Sequence, residues 1–305
     1  MKDLNALSLS DLFRALTDDV AFVRLLDSSL REDLGHQGDV TTLSIVDPNQ
    51  EAQGSIVTRS PGVAAGVSLI PQLVHRLDPK LIFQASIEDG SMFSSGQSIG
   101  LLSGSLASML MVERTLLNFL GRLSGIATLT STYVETISDT GAVICDTRKT
   151  TPGLRHVEKY AVRCGGGTLH RLGLHDAALY KDNHLAAYSE AILADVLMRA
   201  IEKARAEHDL QFVEVEVDTL EQFDQVLSLP DSMVDIVLLD NMPPEMLCQA
   251  VQKRDACNSR IKLEASGGVT LQTVRDIAET GVDRISVGAL THSAPYLDVA
   301  LDINP

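Results

Sequence analysis

From residue 142 onward the chain alternates short apolar segments with longer amphipathic ones, and this alternation limits the possible folds. The apolar segments predict six strands, at residues 142–147, 177–182, 212–217, 235–240, 261–266 and 284–289. Continuous apolar runs are typical of parallel strands that are covered on both faces. The segments between them are long enough to be crossover helices. Such repeats build either a doubly wound sheet or a (β/α) barrel.

Polar residues and glycines stand at the carboxyl ends of these predicted strands, where barrel enzymes build their sites. They are Thr147, Arg148, Lys149, Lys181, Glu214, Glu216, Asp240, Ser266, Gly267, Gly268 and Gly288. This placement favours an incomplete (β/α) barrel, with fewer than eight strands, over the doubly wound alternative.

The preceding part of the chain has a different pattern. Residues 1–35 predict two helices, with Ser10 as the N-cap of the first. Residues 51–102 predict short strands with one helix at residues 68–77, which is typical of an antiparallel sheet with helices on one face. Residues 105–139 predict two long apolar helices.

The chain therefore divides into an N-terminal domain and a barrel domain. We expect residues 1–139 to form the N-terminal helices and an α+β sandwich, and residues 140–290 to form the α/β barrel. The tail at residues 291–305 is expected to pack back on the N-terminal domain.

Residues 146–184 form a basic stretch in an otherwise acidic chain. They hold seven Lys and Arg residues and four of the eight histidines, although the whole chain has a formal charge of −16. Arginine binds carboxylates and phosphates with two hydrogen bonds at once, so this stretch predicts a small, strongly anionic substrate. A solvated helix face with ion pairs is the alternative, and it suits residues 155–163. It does not suit Arg148, Lys149, His170, Arg171 and Lys181.

Composition excludes several classes of partner. The isoelectric point near 4.8 argues against nucleic acid, and the absence of Trp argues against base stacking. No apolar run reaches the length of a membrane span, and the acidic N-terminus does not resemble a signal peptide. Cys145, Cys164, Cys248 and Cys257 have no metal-ligand spacing and suit buried thiols in a reducing cytoplasm.

The last two strand ends suggest a phosphate site. Residues 266–268 and 288–290 are glycine-containing loops after the final strands, where barrels bind phosphate through backbone N–H groups. Glu216 and Asp240 could hold Mg²⁺ through water or stabilise a developing cation. They could instead neutralise nearby cations, and Glu214 and Asp218 are rival candidates.

Two further chemistries are considered. Lys149 or Lys181 could form a Schiff base, which would indicate an aldolase-like lyase. Each lysine adjoins charged residues rather than an apolar pocket, so charge pairing is favoured. His170 and His184 could bind a metal ion, but no third ligand falls at a suitable spacing, which disfavours zinc.

Glu113 and Arg114 form a charged pair inside the first long apolar helix. A local structural ion pair is the commoner explanation of such a pair. The alternative is an arginine that reaches an anion site, such as that of a neighbouring subunit.

Several blocks resemble the quinolinate phosphoribosyltransferase family in sequence and in order, over nearly all of residues 30–300. They are EDLGHQGDVTT, ERTLLNFLGRLSGIAT, DTRKTTPGLRHVEKYAVRCGGGTLHRLGLHDAALYKDNH, LLDN, EASGG and ISVGALTHSAPYLD. The resemblance implies coupling of quinolinate to 5-phosphoribosyl-1-pyrophosphate in NAD synthesis, with Mg²⁺, giving nicotinate mononucleotide, pyrophosphate and CO2. It also implies a sandwich domain packed on an incomplete barrel, in a dimer or an assembly of dimers.

The same resemblance assigns roles to residues. It implies that Arg114 reaches a partner's site and contacts a quinolinate carboxylate. It implies that quinolinate and pyrophosphate are lined by Thr147, Arg148, Lys149, His170, Arg171 and Lys181. Lys149, Glu216 and Asp240 would be catalytic, with the two acids near the ribose and Mg²⁺. The 5-phosphate would be held by Ser266, Gly267, Gly268 and Gly288.

Three rival functions stay open. A nicotinate-type phosphoribosyltransferase would release no CO2, and a Schiff-base lyase would form a lysine adduct. A non-catalytic nucleotide-binding relative should have lost Arg114, Lys149 or Glu216, and all three are present.

Overall fold

The fold was analysed in a computed structural model that describes residues 3–185, 188, 190–230, 232–257 and 259–304. The strands are β1 (Glu51–Thr58), β2 (Gly62–Val63), β3 (Ile82–Ala85), β4 (Met92–Phe93), β5 (Ser98–Ser105), β6 (Val143–Cys145), β7 (Ala178–Tyr180), β8 (Val213–Val217), β9 (Ile236–Asp240), β10 (Lys262–Ser266), β11 (Arg284–Ser286) and β12 (Val299–Asn304). The helices are α1 (Leu9–Thr17), α2 (Val20–Leu34), α3 (Val40–Ile45), α4 (Ile70–Leu77), α5 (Leu106–Thr136), α6 (Arg155–Cys164), α7 (Asp182–Leu185), α8 (Glu190–Glu207), α9 (Leu220–Leu227), α10 (Pro244–Ala256), α11 (Val274–Glu279) and α12 (Ala289–His292).

The chain forms two compact units. The first contains Met1–Asn5, Thr132–Lys149 and Gly167–Ala289, and the second contains Ala6–Ser131, Thr150–Gly166 and Leu290–Pro305.

The first unit is built on a six-stranded parallel sheet with the order β6-β11-β10-β9-β8-β7. All six strands predicted after residue 142 are present, and no pairing within the described residues joins β6 to β7. The expected α/β fold with an incomplete barrel is therefore confirmed.

Strand β8 shows how this sheet places charged side chains inside the protein. Its sequence alternates Val213, Val215 and Val217 on one face with Glu214 and Glu216 on the other. All five residues are buried. The valines supply core packing, so the two glutamates need partners on their own face.

The second unit contains an antiparallel sheet with the order β12-β1-β5-β3. The C-terminal strand β12 pairs with β1 from Thr58↔Val299 to Gln53↔Asn304. Helix α1 packs against α2 and α6 in this unit, and the ring of Phe13 lies 5.9 Å from Phe22 and 5.1 Å from Tyr160.

Two local predictions are wrong. The two helices predicted within residues 105–139 are a single helix, α5 (Leu106–Thr136), and Gly125 lies inside it. A Cβ atom at Gly125 would lie 1.8 Å from the carbonyl oxygen of Pro295, so this glycine allows a close backbone approach and does not end the helix. The N-cap of α1 is Ser8, whose Oγ accepts from the Asp11 N–H at 3.2 Å, and Ser10 lies within the helix.

The four cysteines are free, and only two are buried as predicted. Cys145 and Cys164 are buried, Cys248 is half-buried, and Cys257 is exposed just after α10 ends. Within the described residues, none of the helices combines the length and apolar character that crossing a bilayer requires.

Candidate active site

The carboxyl ends of the parallel strands bring most of the predicted site residues into one unit. Asp240 is paired with Ser266, and Glu216 is paired with Leu238, two residues before Asp240. Because the strands are parallel, these residues lie at one edge of the sheet. The first unit contains every predicted site residue except Arg114.

Arg148 and Arg171 are two cations that lie close to each other. Arg171 is only 6% exposed, and burial lowers the pKa of its guanidinium, as does the nearby positive charge of Arg148. The Nε atom of Arg148 is buried and has no acceptor within the described part of the chain. Two close guanidinium groups, one of which has an unused buried donor, suit a bound carboxylate or phosphate.

Two aspartates hold the segment that carries Arg171. The His170 N–H donates to Asp146 Oδ1 at 2.8 Å. Asp176 accepts from the N–H groups of Leu172 and Gly173 at 2.7 and 2.8 Å, which closes the loop after Arg171. The Arg171 side chain donates to the Ala177 carbonyl at 3.3 Å. These contacts fix the direction of the guanidinium before any ligand binds.

Lys181 and Glu216 form an ion pair between neighbouring strand ends. The Lys181 Nζ atom lies 2.5 Å from Glu216 Oε2. The lysine side chain is 42% exposed and the glutamate side chain is 8% exposed, so the ammonium group faces the open side. The ion pair engages the ammonium group, which favours charge pairing over a Schiff-base role for Lys181.

The loops after β9 and β10 are joined by Asn241, which has a positive φ of 52°. Its N–H donates to the Ser266 carbonyl at 2.8 Å, and its side chain donates to Asp240 Oδ2 at 2.6 Å. Gly267 has a φ of 95°, and a Cβ atom there would lie 2.1 Å from Asn241 Oδ1. A Cβ atom at Gly268 would meet nothing within 4 Å, so space is open beside its backbone.

The remaining predicted residues vary in exposure. Lys149 is exposed, and its N–H donates to Thr147 Oγ1 at 3.0 Å. Gly288 is half-buried after β11. The two rival acids differ in exposure. Asp218 is exposed, while Glu214 is fully buried on the same face of β8 as Glu216, two residues before it.

His170 lies in a buried polar cluster with Glu214, Glu264 and Arg284. Its Nε2 atom lies 2.9 Å from Glu214 Oε2 and 3.3 Å from Glu264 Oε1. Arg284 Nε donates to the other oxygen of Glu264 at 2.6 Å. His170, Glu214 and Glu264 have ligand-type atoms within 4.8 Å of one another, so the expectation that His170 lacks such neighbours is wrong.

The opposite ring nitrogen of His170 constrains its proton. Burial lowers the pKa of this imidazole, but Glu264 and Glu214 outweigh burial and raise the pKa to about 10. However, the Arg171 N–H donates to His170 Nδ1 at 2.8 Å, and an imidazolium has no lone pair there to accept it. The geometry therefore places the ring proton on Nε2, facing the carboxylates.

Glu264 and Arg284 were not predicted from the sequence. The available signal was a glutamate within the apolar run IKLEAS, on the same face as Ser266. Its partners come from three other segments, and their pairing could not be read from spacing along the chain.

Arg114 lies on α5 in the second unit and is exposed, although Thr115, Leu116 and Leu117 beside it are buried. Within the described residues it makes no ion pair with Glu113, as expected for adjacent positions on a helix. The observation favours an outward-facing arginine over a local structural pair.

A cavity of about 1220 Å³ lies at the other end of the parallel sheet. It is lined by the amino ends of several strands, including Val143, Ile236, Lys262 and Arg284. Because the predicted site residues stand at the carboxyl ends, this cavity is separate from them.

Comparisons with known proteins agree with the geometry. Family models described as the N-terminal and C-terminal domains of quinolinate phosphoribosyl transferase match residues 39–124 and 126–302. The nicotinate-nucleotide pyrophosphorylase (carboxylating) of Mycobacterium leprae is 44% identical over 278 residues, which are 90% of this chain and 94% of that protein. A probable enzyme of the same name from Bacillus subtilis is 41% identical over 92% of each chain. The solved nicotinate-nucleotide pyrophosphorylase of Francisella tularensis has a TM-score of 0.82 and 34% identity, with 100% of both chains covered.

Proposed function

The chain belongs to the quinolinate phosphoribosyltransferase family, and we propose that its barrel end joins quinolinate to 5-phosphoribosyl-1-pyrophosphate. The products are nicotinate mononucleotide, pyrophosphate and CO2. The reaction makes the protein a pentosyltransferase of pyridine nucleotide biosynthesis.

The observation that carries this proposal is the closeness of two guanidinium groups, those of the half-buried Arg148 and the buried Arg171. The positive charge of Arg148 lowers the pKa of Arg171, and the buried Nε atom of Arg148 has no acceptor within the described residues. A dicarboxylate would relieve the repulsion and accept the unused hydrogen bonds. We assign quinolinate to these arginines together with Lys181 and His170, and pyrophosphate to the neighbourhood of Thr147 and Lys149.

Both substrates are polyanions that repel each other, so a cationic site must first hold them together. When the bond from the ribose to pyrophosphate breaks, positive charge develops on the sugar and negative charge on the leaving group. Glu216 and Asp240 lie at strand ends where they can stabilise the sugar cation, while Lys149 neutralises pyrophosphate.

The decarboxylation step needs little from the protein. Attack by the pyridine nitrogen on the ribose carbon leaves that nitrogen positively charged. The cationic ring then stabilises the electron pair left when the adjacent carboxylate departs as CO2, and this carbon takes up a proton from solvent water to give the product. A strong protein base is not required, in agreement with a site dominated by cations.

The donor set at the strand ends fits Mg²⁺. Glu216 and Asp240 offer carboxylate oxygens, the ligand type that Mg²⁺ prefers, and Mg²⁺ usually keeps several waters. Lys181 already occupies one oxygen of Glu216, which favours contact through water. When bound, Mg²⁺ would neutralise charge on the pyrophosphate group.

We assign the 5-phosphate to Ser266, Gly267, Gly268 and Gly288. The open space beside Gly268 would admit a phosphate close to backbone N–H groups. We further propose a cytoplasmic homodimer, or an assembly of dimers, in which Arg114 enters the site of the partner. The outward-facing Arg114 and the four free cysteines support these two assignments.

A product assay tests the function directly. Purified protein is mixed with quinolinate labelled with ¹⁴C at the C2 carboxylate, phosphoribosyl pyrophosphate and Mg²⁺, and we expect nicotinate mononucleotide and labelled CO2 in equal amounts. Turnover of nicotinate in place of quinolinate, without CO2, would establish the non-decarboxylating rival. A borohydride-stable adduct on Lys149 or Lys181 would establish the Schiff-base lyase.

A further inference from the structure

We propose that Glu264 and Arg284 are positioning residues that hold the His170 imidazole in one orientation and one tautomer, and thereby fix the backbone that carries Arg171. The inference rests on the proposed function, because it takes Arg171 as a substrate-binding cation. It assigns a role to two residues that lie outside the proposed catalytic and binding set.

A series of three contacts connects Arg284 to Arg171 through Glu264 and His170. Arg284 Nε bonds one oxygen of Glu264 at 2.6 Å, and the other oxygen lies 3.3 Å from His170 Nε2. His170 Nδ1 accepts from the Arg171 N–H at 2.8 Å. The three contacts run in series through different atoms. A displacement of Arg284 would therefore be passed through Glu264 and His170 to the backbone N–H of Arg171.

The ring of His170 is also held by contacts from other directions. Glu214 lies 2.9 Å from Nε2, and the ring of Phe212 packs edge-on with centroids 5.4 Å apart. The backbone of His170 is held by Asp146. With the ring plane set, the proton on Nε2 faces the carboxylates and the lone pair on Nδ1 faces the Arg171 N–H.

Glu264 depends on Arg284 for the positive charge that pairs with its buried carboxylate. Glu264 is fully buried, and a buried carboxylate without a paired cation is costly. The Arg284 side chain is 11% exposed and lines the cavity at the amino ends of the strands. Removing the guanidinium would therefore leave a hole that a small cation can enter from that cavity.

The experiment uses Arg284→Ala and Glu264→Gln in the full chain. Because the Arg171 guanidinium would lose its fixed direction, we expect the KM for quinolinate to rise roughly 10-fold to 100-fold. The KM for phosphoribosyl pyrophosphate should change less than about twofold, since Arg171 does not bind it in this assignment. Arg275→Ala is the matched control, because Arg275 pairs with Asp139 and Glu279 on the surface of the same unit.

Chemical rescue separates positioning from general loss of structure. Millimolar guanidinium should restore the quinolinate KM of Arg284→Ala, while urea, of similar shape but neutral, should not. Guanidinium should have no such effect on Arg275→Ala. The proposal would be overturned if urea restored the quinolinate KM of Arg284→Ala as well as guanidinium does. It would also be overturned if the quinolinate KM were unchanged in both Arg284→Ala and Glu264→Gln.

A spectroscopic measurement does not depend on activity. In protein labelled with ¹⁵N-histidine, and with the His170 signal assigned by its loss in His170→Asn, the wild-type ring should show a protonated Nε2 and an unprotonated Nδ1. Arg284→Ala should lose this single tautomer and regain it with guanidinium. A doubly protonated ring in the wild type would overturn the inference, as would a stoichiometric transition metal ion bound by His170.

The CO2 assay and the tautomer measurement can fail independently, so they distinguish the positioning role from the proposed function. If wild-type protein released no CO2 from quinolinate, the proposed function would fail, and the ring measurement would still decide whether Glu264 and Arg284 position His170. If the enzyme were active and the ring tautomer did not respond to Arg284→Ala, the positioning role alone would be wrong.

Discussion

The Lys181–Glu216 ion pair joins a cation and an anion at neighbouring strand ends, and the proposed function uses the two charges separately. In that proposal, a quinolinate carboxylate would attract the ammonium group, and the developing ribose cation would attract the carboxylate. Binding of the dicarboxylate would thus draw Lys181 away and leave Glu216 facing the sugar. The pair therefore holds each charge ready without leaving a buried carboxylate unpaired before substrate arrives.

Glu216→Gln tests the role of this carboxylate. We expect kcat to fall roughly 100-fold, the scale of losing one electrostatic contact to the transition state, with quinolinate affinity nearly unchanged. Single-turnover kinetics and calorimetric binding of quinolinate measure the two effects. Asp218→Asn, an exposed acid just beyond the same strand, is the control and should retain activity. Loss of quinolinate binding in Glu216→Gln would contradict a ribose-side role.

Arg148→Lys tests the bidentate contact. Lysine keeps the charge but loses the planar fork and the Nε donor, so the KM for quinolinate should rise by about tenfold or more. Thermal unfolding should change little, because Nε has no partner among the described residues. A melting temperature that fell in step with activity would make Arg148 a structural residue.

The strand ends of β9 and β10 depend on the fit between Gly267 and Asn241. In Gly267→Ala the added methyl group would meet Asn241 Oδ1, and φ of 95° would be strained. We expect a loss of about 1–3 kcal/mol in the free energy of unfolding, measured by denaturant titration. At Gly268, with a φ of 59°, a side chain would also be strained but would meet nothing within 4 Å, so Gly268→Ala should be less destabilising and should mainly raise the KM for phosphoribosyl pyrophosphate. Equal effects of both variants on stability would contradict this division.

The regular elements of the parallel sheet could be predicted because each strand is a short apolar run that interacts mainly with its neighbours. The single helix α5 was missed because Gly125 reads as a helix break, and its actual contact with Pro295 lies far along the chain. Strand ends and family resemblance were enough to propose four site residues, Arg148, Arg171, Lys181 and Glu216. The Glu264–Arg284 contact could not be predicted, because it joins side chains on neighbouring strands and depends on how those strands are aligned.

Arg114 provides a test of the assembly. Alone, Arg114→Ala should lower activity strongly, while Arg14→Ala, another exposed arginine of the same unit, should not. A purified heterodimer of Arg114→Ala with Glu216→Gln should recover about half of wild-type activity, because a two-fold dimer then contains one intact site. No recovery would place Arg114 in the site of its own subunit.

The pairing of β12 with β1 has a consequence for how the protein is made. The sheet of the second unit begins with residues 51–58 but gains its edge strand only from residues 299–304. On the ribosome, β1 must wait with one edge uncovered until residues 299–304 have emerged. A free strand edge invites pairing with other chains, so the growing polypeptide exposes this edge throughout the synthesis of the residues between the two strands.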